Sequence, residues 1–245
     1  MIFKNKSVEN QIEFYSWSQQ AEELTTMPVP AKSHISEMWK AKERYYGNKE
    51  KELDLRVPGD RGNGVPNLGL KHCIPYFDAM TAGYLQLLHC DLQVTQVNGQ
   101  PEIKWRSSLA PLQVRQIEEI DAPHGYSPKH YAWLMQWGLK TPEGWSCLIT
   151  QPINRPESPF ICTSGFMDTD KYHAPGNISF HVKEGFEGIV PAGTPIFQII
   201  PIKREPWVSV KNNNLREEGR FDQERKKNVF SGYYKKNRWQ KKEYS

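Results

Sequence analysis

Apolar and polar positions alternate most clearly between Asp91 and Arg106. Gln93, Thr95 and Gln96 interleave with Leu92, Val94 and Val97, close to the two-residue period of a half-buried strand. Asn98-Gly99 follows, a pair suited to the positive backbone angles of a two-residue hairpin, and residues 102–106 return as the partner strand. From Lys140 to Arg204 the chain breaks into short apolar segments punctuated by Pro and Gly. Residues 145–150, 160–163, 178–182 and 195–202 each read as a strand. Residues 133–139 are apolar without a clear period. The turn Thr141-Pro142-Glu143-Gly144 makes them the first arm of a hairpin into 145–150. Residues 12–16 give one further short strand, and 108–130 read as irregular.

Helical spacing is confined to the ends of the chain. Ile35, Met38, Trp39 and Lys42 recur at that spacing, with Ser33 as N-cap and Ser36 and Glu37 in the first turn, which predicts a helix over 33–46. Residues 47–70 are charged and then rich in Gly, Pro and Asn, an exposed connector. Residues 208–239 are polar with scattered aromatics, one or two exposed helices packed loosely on the body. The pattern predicts three parts: an N-terminal extension over 1–70, a β-barrel over 71–205 and a helical tail over 206–245. The fold class is mainly β, a jelly-roll-like barrel with an N-terminal helical segment and a C-terminal basic helix.

Composition refines this picture. The 245 residues suffice for a sizeable core. Only 38% are hydrophobic but 12% are aromatic, so large rings are expected to carry the core. Mean hydropathy is −0.71, and no apolar run approaches the roughly 18 residues that span a bilayer. Nothing apolar follows the lysines of the N-terminus, so no secretory signal is expected and the setting is cytoplasmic. Cys73, Cys90, Cys147 and Cys162 lack zinc-ligand spacing and lie in or beside apolar segments, which predicts buried free thiols. The net charge of +4 conceals an asymmetry. Eight Lys/Arg and one acid lie beyond residue 224, leaving 24 basic and 27 acidic residues before it, a body of about −3.

With these elements placed, their order resembles the fold shared by dUTPases and dCTP deaminases. That family's pattern includes Ser-Ala-Gly-Tyr-Asp-Leu, and Thr81-Ala82-Gly83-Tyr84 is similar to its first part. A Pro-Pro-Gly turn and a strand ending near Pro-Arg-Ser come next, matched by Thr141-Pro142-Glu143-Gly144 and by Gln151 to Arg155. Gly165-Phe166-Met167-Asp168-Thr169-Asp170-Lys171-Tyr172 stands for Gly-Val-Ile-Asp-Ser-Asp-Tyr, and Pro191 to Ile199 resembles the last strand. The resemblance covers about residues 72–204. It departs at Leu85, where the family has Asp, and at Arg155-Pro156, where it has a phosphate grip. The whole chain also resembles a protein family of tailed phages and some bacteria.

The resemblance implies a nucleotide-binding protein that hydrolyses a deoxynucleoside triphosphate. Asp168 would orient water and Asp170 assist; Gln198, Arg155 and Tyr84 would line the nucleotide pocket. Mg²⁺ would neutralise phosphate charge. A homotrimer sharing sites between subunits follows from the same resemblance.

The residues also allow other readings. Asp168 and Asp170 lie two apart and suit an Asx-turn at a sheet corner as well as catalysis. With His173 they spell Asp-x-Asp-x-x-His, an oxygen and imidazole set suited to Mn²⁺ or Fe²⁺. His124 and His130 read as exposed loop histidines or as a ligand pair. Asp78 reads as a pocket residue or a turn cap. In the tail, Lys235, Lys236, Arg238 and Trp239 combine positive charge with an aromatic ring. They suit nonspecific nucleic-acid or protein contact, or the anchoring of a surface helix. The alternative function is therefore a non-catalytic jelly-roll protein for virion or complex assembly, or for partner binding through this tail. No membrane contact is expected.

Overall fold

The computed structural model describes residues 10–46, 67–117, 119–227 and 232–245. The chain forms two compact units, one of Met1–His34, Thr81–Glu205 and Tyr244–Ser245, the other of Ile35–Met80 and Pro206–Glu243. Segments from both halves of the sequence thus make up the second unit, a grouping that the linear three-part division does not follow. The connector expected over 47–70 lies, up to residue 66, outside the described residues.

Strand β1 (Glu13–Ser16) opens the first unit, followed by helix α1 (Gln19–Leu24). Ser18 caps α1 by accepting from the Ala21 N–H at 3.1 Å. Strand β2 is Val29–Pro30. In the second unit α2 (Glu37–Ala41) is shorter than expected and begins three residues late. Ser36 is its cap, accepting from the Trp39 N–H at 3.4 Å, whereas Ser33 donates back to the Pro30 carbonyl at 2.7 Å. Two serines of equal capping chemistry stood close together, and the backward hydrogen bond decides between them. Strands β3 (Tyr45–Tyr46) and β4 (Asn67–Leu68) pair, and α3 (Ile74–Thr81) completes this half of the unit.

The first unit resumes with β5 (Tyr84–Leu87), β6 (Leu92–Val97), β7 (Gln100–Trp105) and β8 (Leu112–Val114). Next come β9 (Tyr126–Leu134), β10 (Trp137–Lys140), β11 (Trp145–Thr150) and β12 (Phe160–Cys162). The last strands are β13 (Gly165–Met167), β14 (Asn177–Lys183), β15 (Gly188–Val190) and β16 (Pro195–Lys203). They form a five-stranded sheet ordered β13-β11-β16-β5-β2, a four-stranded sheet β12-β14-β9-β8, a three-stranded sheet β15-β6-β7 and the pair β1-β10. Pairing is antiparallel throughout the described ladders. The architecture is mainly β with a helix near each end of the sequence; α4 (Arg216–Lys227) and α5 (Tyr233–Asn237) belong to the second unit. Among the described residues no helix is long and apolar enough to cross a membrane.

The β6–β7 hairpin forms as its sequence requires. Asn98 and Gly99 both hold positive φ (52° and 73°), so Val97 faces Gln100 directly across the turn. Gly83 meets a stricter demand: its φ is +60°, and a Cβ there would lie 2.0 Å from the Ile199 carbonyl. Its lack of a side chain lets the chain enter β5 tight against β16.

Two readings of the strands fail. Strand β10 pairs with β1, Glu13 opposite Lys140, and forms no hairpin with β11. The turn itself is present, the Trp145 N–H donating to Pro142 at 3.2 Å, but Thr141 is drawn away to Thr169 through backbone and hydroxyl contacts of 3.2 and 2.7 Å. The stretch expected to be irregular contains β8 and most of β9. His130, Tyr131, Ala132 and Trp133 are all buried, so both faces of β9 are covered and alternation disappears.

Aromatic rings do fill the core. Trp133 stacks on Phe180 with centroids 3.9 Å apart at 9°, and Phe160 meets Trp133 edge-on at 5.1 Å. Such pairs add about 0.5–1.5 kcal/mol each beyond the area they bury. Cys147 and Cys162 are buried free thiols, pushed up to about 11 and about 12 by burial. Cys90 is half-buried, and Cys73 is exposed, contrary to expectation.

Candidate functional site

The acidic element after β13 lies beside the start of β11 and the end of β16. Antiparallel pairing sets Trp145 opposite Lys203, so Arg204 continues past Gly144 and its N–H donates to the Gly144 carbonyl at 2.8 Å. From there the guanidinium reaches both carboxylates. Its Nη1 donates to Asp168 Oδ1 at 3.1 Å and to Asp170 Oδ1 at 2.9 Å, while Nη2 donates to Asp170 Oδ2. Ser146 Oγ donates to Asp168 Oδ1 at 2.7 Å, and the Gly144 N–H to Asp170 Oδ2 at 2.9 Å.

The two carboxylates differ in exposure. The Asp170 side chain is 2% exposed and that of Asp168 63%. The hydrogen bond from Arg204 holds Asp170 down at about 2, aided by the Gly144 N–H. Asp168 is also lowered, first by the Ser146 hydroxyl and then by Arg204. Arg204 is raised in turn, chiefly by its bond to Asp170. Both acids remain ionised at neutral pH, and the guanidinium sits where a cation bridging them would sit.

His173 does not join this pair. Its carbonyl accepts from Tyr15 Oη at 2.6 Å, and its ring Nε2 is buried without a hydrogen-bond partner. Among the described residues no three His, Cys, Asp or Glu side chains converge in a way that could hold a metal ion, so Asp168, Asp170 and His173 form no such cluster.

The nucleotide-lining candidates are each engaged in contacts within the unit. Gln198 is fully buried on β16: its Oε1 accepts from the Ile153 N–H at 2.8 Å and its Nε2 donates to the Ala82 carbonyl at 2.6 Å. It ties the segment after β11 to the entry of β5. Arg155, its side chain 8% exposed, donates to the His34 carbonyl and lies 4.0 Å from Glu157. Burial lowers its pKa. It lines a cleft of about 280 Å³ with Pro152, Phe186 and Ile189. Tyr84 packs edge-on to Phe14 (5.2 Å) and Tyr244 (6.1 Å), and its hydroxyl donates to Ser245 at 3.3 Å.

The histidine pair read from the sequence also separates. His124 is exposed, but His130 is fully buried on β9 and lies against His181 of β14.

In the second unit Asp78 is neither a cap nor a free pocket acid. It accepts from Trp239 Nε1 and from Lys242 Nζ, each at 2.7 Å, and so anchors the tail to α3. Arg238 binds Asp222 at 2.9 Å, as does Tyr233 Oη at 2.8 Å. Lys235 and Lys236 are exposed on α5. The same unit holds a cavity of about 1070 Å³. Lys42, His72, Cys73, Tyr233, Tyr234 and Arg238 border it, over an apolar floor of Leu70, Ile74 and Pro75.

Arg204 is the site residue that sequence reasoning missed. Its role follows from the β11–β16 register, which no local pattern reveals.

No family model matches this chain, and neither does any curated protein. Among solved structures part of the chain is similar to the dUTPase from phage phi11 of S. aureus, in two structures. One, of a point mutant and concerned with coordination of a structural Mg(II) ion, is 13% identical with a TM-score of 0.27. The other, concerned with a species-specific insert, is 12% identical with the same TM-score. Each match covers 42% of this chain and 97% of the other. At that identity and TM-score the match carries no argument about this chain.

Proposed function

We propose that this chain is a binding protein in which the β-rich unit is a scaffold and the second unit takes up a ligand bearing an aromatic ring and negative charge. A nucleotide or a short single strand of nucleic acid has that chemistry. The observation that carries the reading is the cavity lined by Tyr233, Tyr234, Arg238 and Lys42. At about 1070 Å³ it lies just above the usual range of ligand pockets, which run to about 1000 Å³. Its apolar floor suits a planar ring, and tyrosines stack with bases for about 1–3 kcal/mol each. Arg238 is already bound to Asp222, so Lys42 is the bordering cation that would meet phosphate. The exposed Lys235 and Lys236 extend the positive charge along α5.

Calorimetric titration with nucleoside mono-, di- and triphosphates and with a short oligothymidylate tests this. Binding is expected, and Tyr234→Ser should weaken it roughly ten- to a hundredfold, the loss of one stacked ring. No heat with any of these ligands would overturn the reading.

Hydrolysis at Asp168 is the second reading. It is favoured by the side chain's 63% exposure and by its two hydrogen bonds both falling on Oδ1, which leaves Oδ2 to solvent. An ionised carboxylate in that position can orient a water molecule. Mg²⁺ would then come with the substrate's phosphates, since Arg204 occupies the space between the acids.

A further inference from the structure

Two histidines are buried side by side in the first unit, on the four-stranded sheet, whereas the acidic element follows a strand of the five-stranded one. His130 of β9 and His181 of β14 are 0% and 1% exposed and are register partners across the antiparallel pair. Directly opposed residues point to the same face, and the rings lie 5.1 Å apart at 32°. Next to them the ladder shifts register between His181 and Lys183, a bulge at which pairing is already interrupted.

Polar satisfaction at this spot is incomplete. His181 Nδ1 lies 2.9 Å from the Ser127 carbonyl. A carbonyl only accepts, so Nδ1 carries the hydrogen and Nε2 is left with its lone pair. That Nε2 is buried without a partner, as are both ring nitrogens of His130. A proton added to either ring is a charge placed in a dry site against a second ring.

The charged surroundings are few. From the segment after β8 come Glu119, with Oε2 3.7 Å from His130 Nε2, and Arg115, whose guanidinium holds Glu119 through Nε at 2.9 Å and through Nη2. Arg115 also continues the ladder, its N–H donating to the His130 carbonyl at 3.2 Å. Lys129 is paired with Glu102 of β7. From β12, the residue opposite His181 is Ile161, which carries no charge. The nearby carboxylate favours a cationic ring but is shared with an arginine that repels one, and burial and the second ring outweigh it.

We propose that the His130–His181 pair is a proton-operated latch on the β9–β14 seam, closed while both rings are neutral and opened by the uptake of one proton. Burial and the neighbouring His181 lower the pKa of His130 from its usual 6.5, in keeping with a neutral closed state. Once the seam opens, the ring regains water and its ordinary affinity for a proton. The open form then binds more protons than the closed form below pH 6.5, so closure is at full strength above that pH and is lost as pH falls through it. Protonation also gives Glu119 a second claimant, which loosens its hold on Arg115 and with it the β8 side of the sheet.

Hydrogen exchange of the intact chain, read by mass spectrometry from pH 7.5 to 5 and corrected for the intrinsic rate, tests the latch. Peptides spanning 126–134 and 177–183 should lose protection about tenfold per pH unit below 6.5, while those from β11 and β16 hold theirs. In His130→Gln/His181→Gln the seam should no longer respond to pH. Equal loss in every strand, or a double variant with the wild-type response, would overturn the proposal. If the double variant does not fold, an NMR titration of the wild-type imidazole protons decides. A His130 ring that titrates at or above 6.5 while the seam stays protected also overturns it.

Discussion

The β-rich unit contains two pairs of titratable side chains, and they are stabilised in opposite ways. Asp168 and Asp170 lie at the edge of the five-stranded sheet, charged, with a guanidinium between them and a hydroxyl and a backbone N–H behind. His130 and His181 lie inside the four-stranded sheet with a single carbonyl contact to the pair that meets hydrogen-bond geometry, and with three ring nitrogens unmatched. The acids gain from being ionised because opposite charge is built in around them. His130 is disfavoured as a cation, because burial and the neighbouring ring lower its pKa and its one carboxylate neighbour is shared with Arg115. A close pair of ionisable groups therefore has no fixed meaning. What surrounds the pair decides whether it fastens the fold or leaves it open to a change of pH.

The comparison can be broken most forcefully at Trp133. This ring stacks on Phe180, the neighbour of His181, and so presses together the seam that the unmatched imidazoles weaken. Trp133→Ala should cost about 3–5 kcal/mol in a denaturant titration, the range for removing a large core ring. A loss near 1 kcal/mol would mean that the seam closes by backbone pairing alone.

Arg204→Met acts on the other pair, removing the cation while keeping the length of the side chain. The Asp170 carboxyl, 2% exposed, then has the Gly144 N–H and no counter-charge. The melting temperature at pH 7 should fall by several degrees. The shape of the pH profile says more. A carboxyl held at about 2 against an ordinary 3.8 stabilises the fold fully above 3.8 and loses that stabilisation as pH falls toward 2. In the variant this acid limb should be shallower, because the acid no longer distinguishes folded from unfolded chain. An unchanged limb would show that Gly144 alone holds Asp170.

These sites were legible in the sequence to different degrees, for physical reasons. The hairpin at Asn98-Gly99 was readable because its requirement is local, two positive φ angles. Asp168 and Asp170 were found because they sit at a turn two residues apart, but their partner Arg204 is delivered by strand pairing 34 residues later. Strand β9 escaped because four consecutive buried residues erase the alternation by which strands are read. For the same reason the sequence reads His130 as a loop residue beside His124. Gln198 was singled out by resemblance as a ligand residue, and the structure gives its amide two backbone contacts within the scaffold.

Asp168→Asn is the smallest perturbation and the one that separates fastening from chemistry. The side chain is 63% exposed, and an asparagine oxygen can still accept from Ser146 and Arg204, so the fold should scarcely respond. Stability changes at such surface positions are ordinarily small. Any deoxynucleotide hydrolysis, in contrast, should fall by two to four orders of magnitude, because the amide cannot accept a proton from water. Turnover with Mg²⁺, read by phosphate release, checks this against the thermal midpoint of the same sample. If turnover disappears while the midpoint holds, Asp168 acts on a substrate and the acidic pair is more than a fastener. If the wild type shows no turnover and the midpoint of the variant falls, Asp168 belongs with Asp170 as part of the Arg204 clamp. The contrast with the histidine pair would then be one between a structural lock and a conditional one.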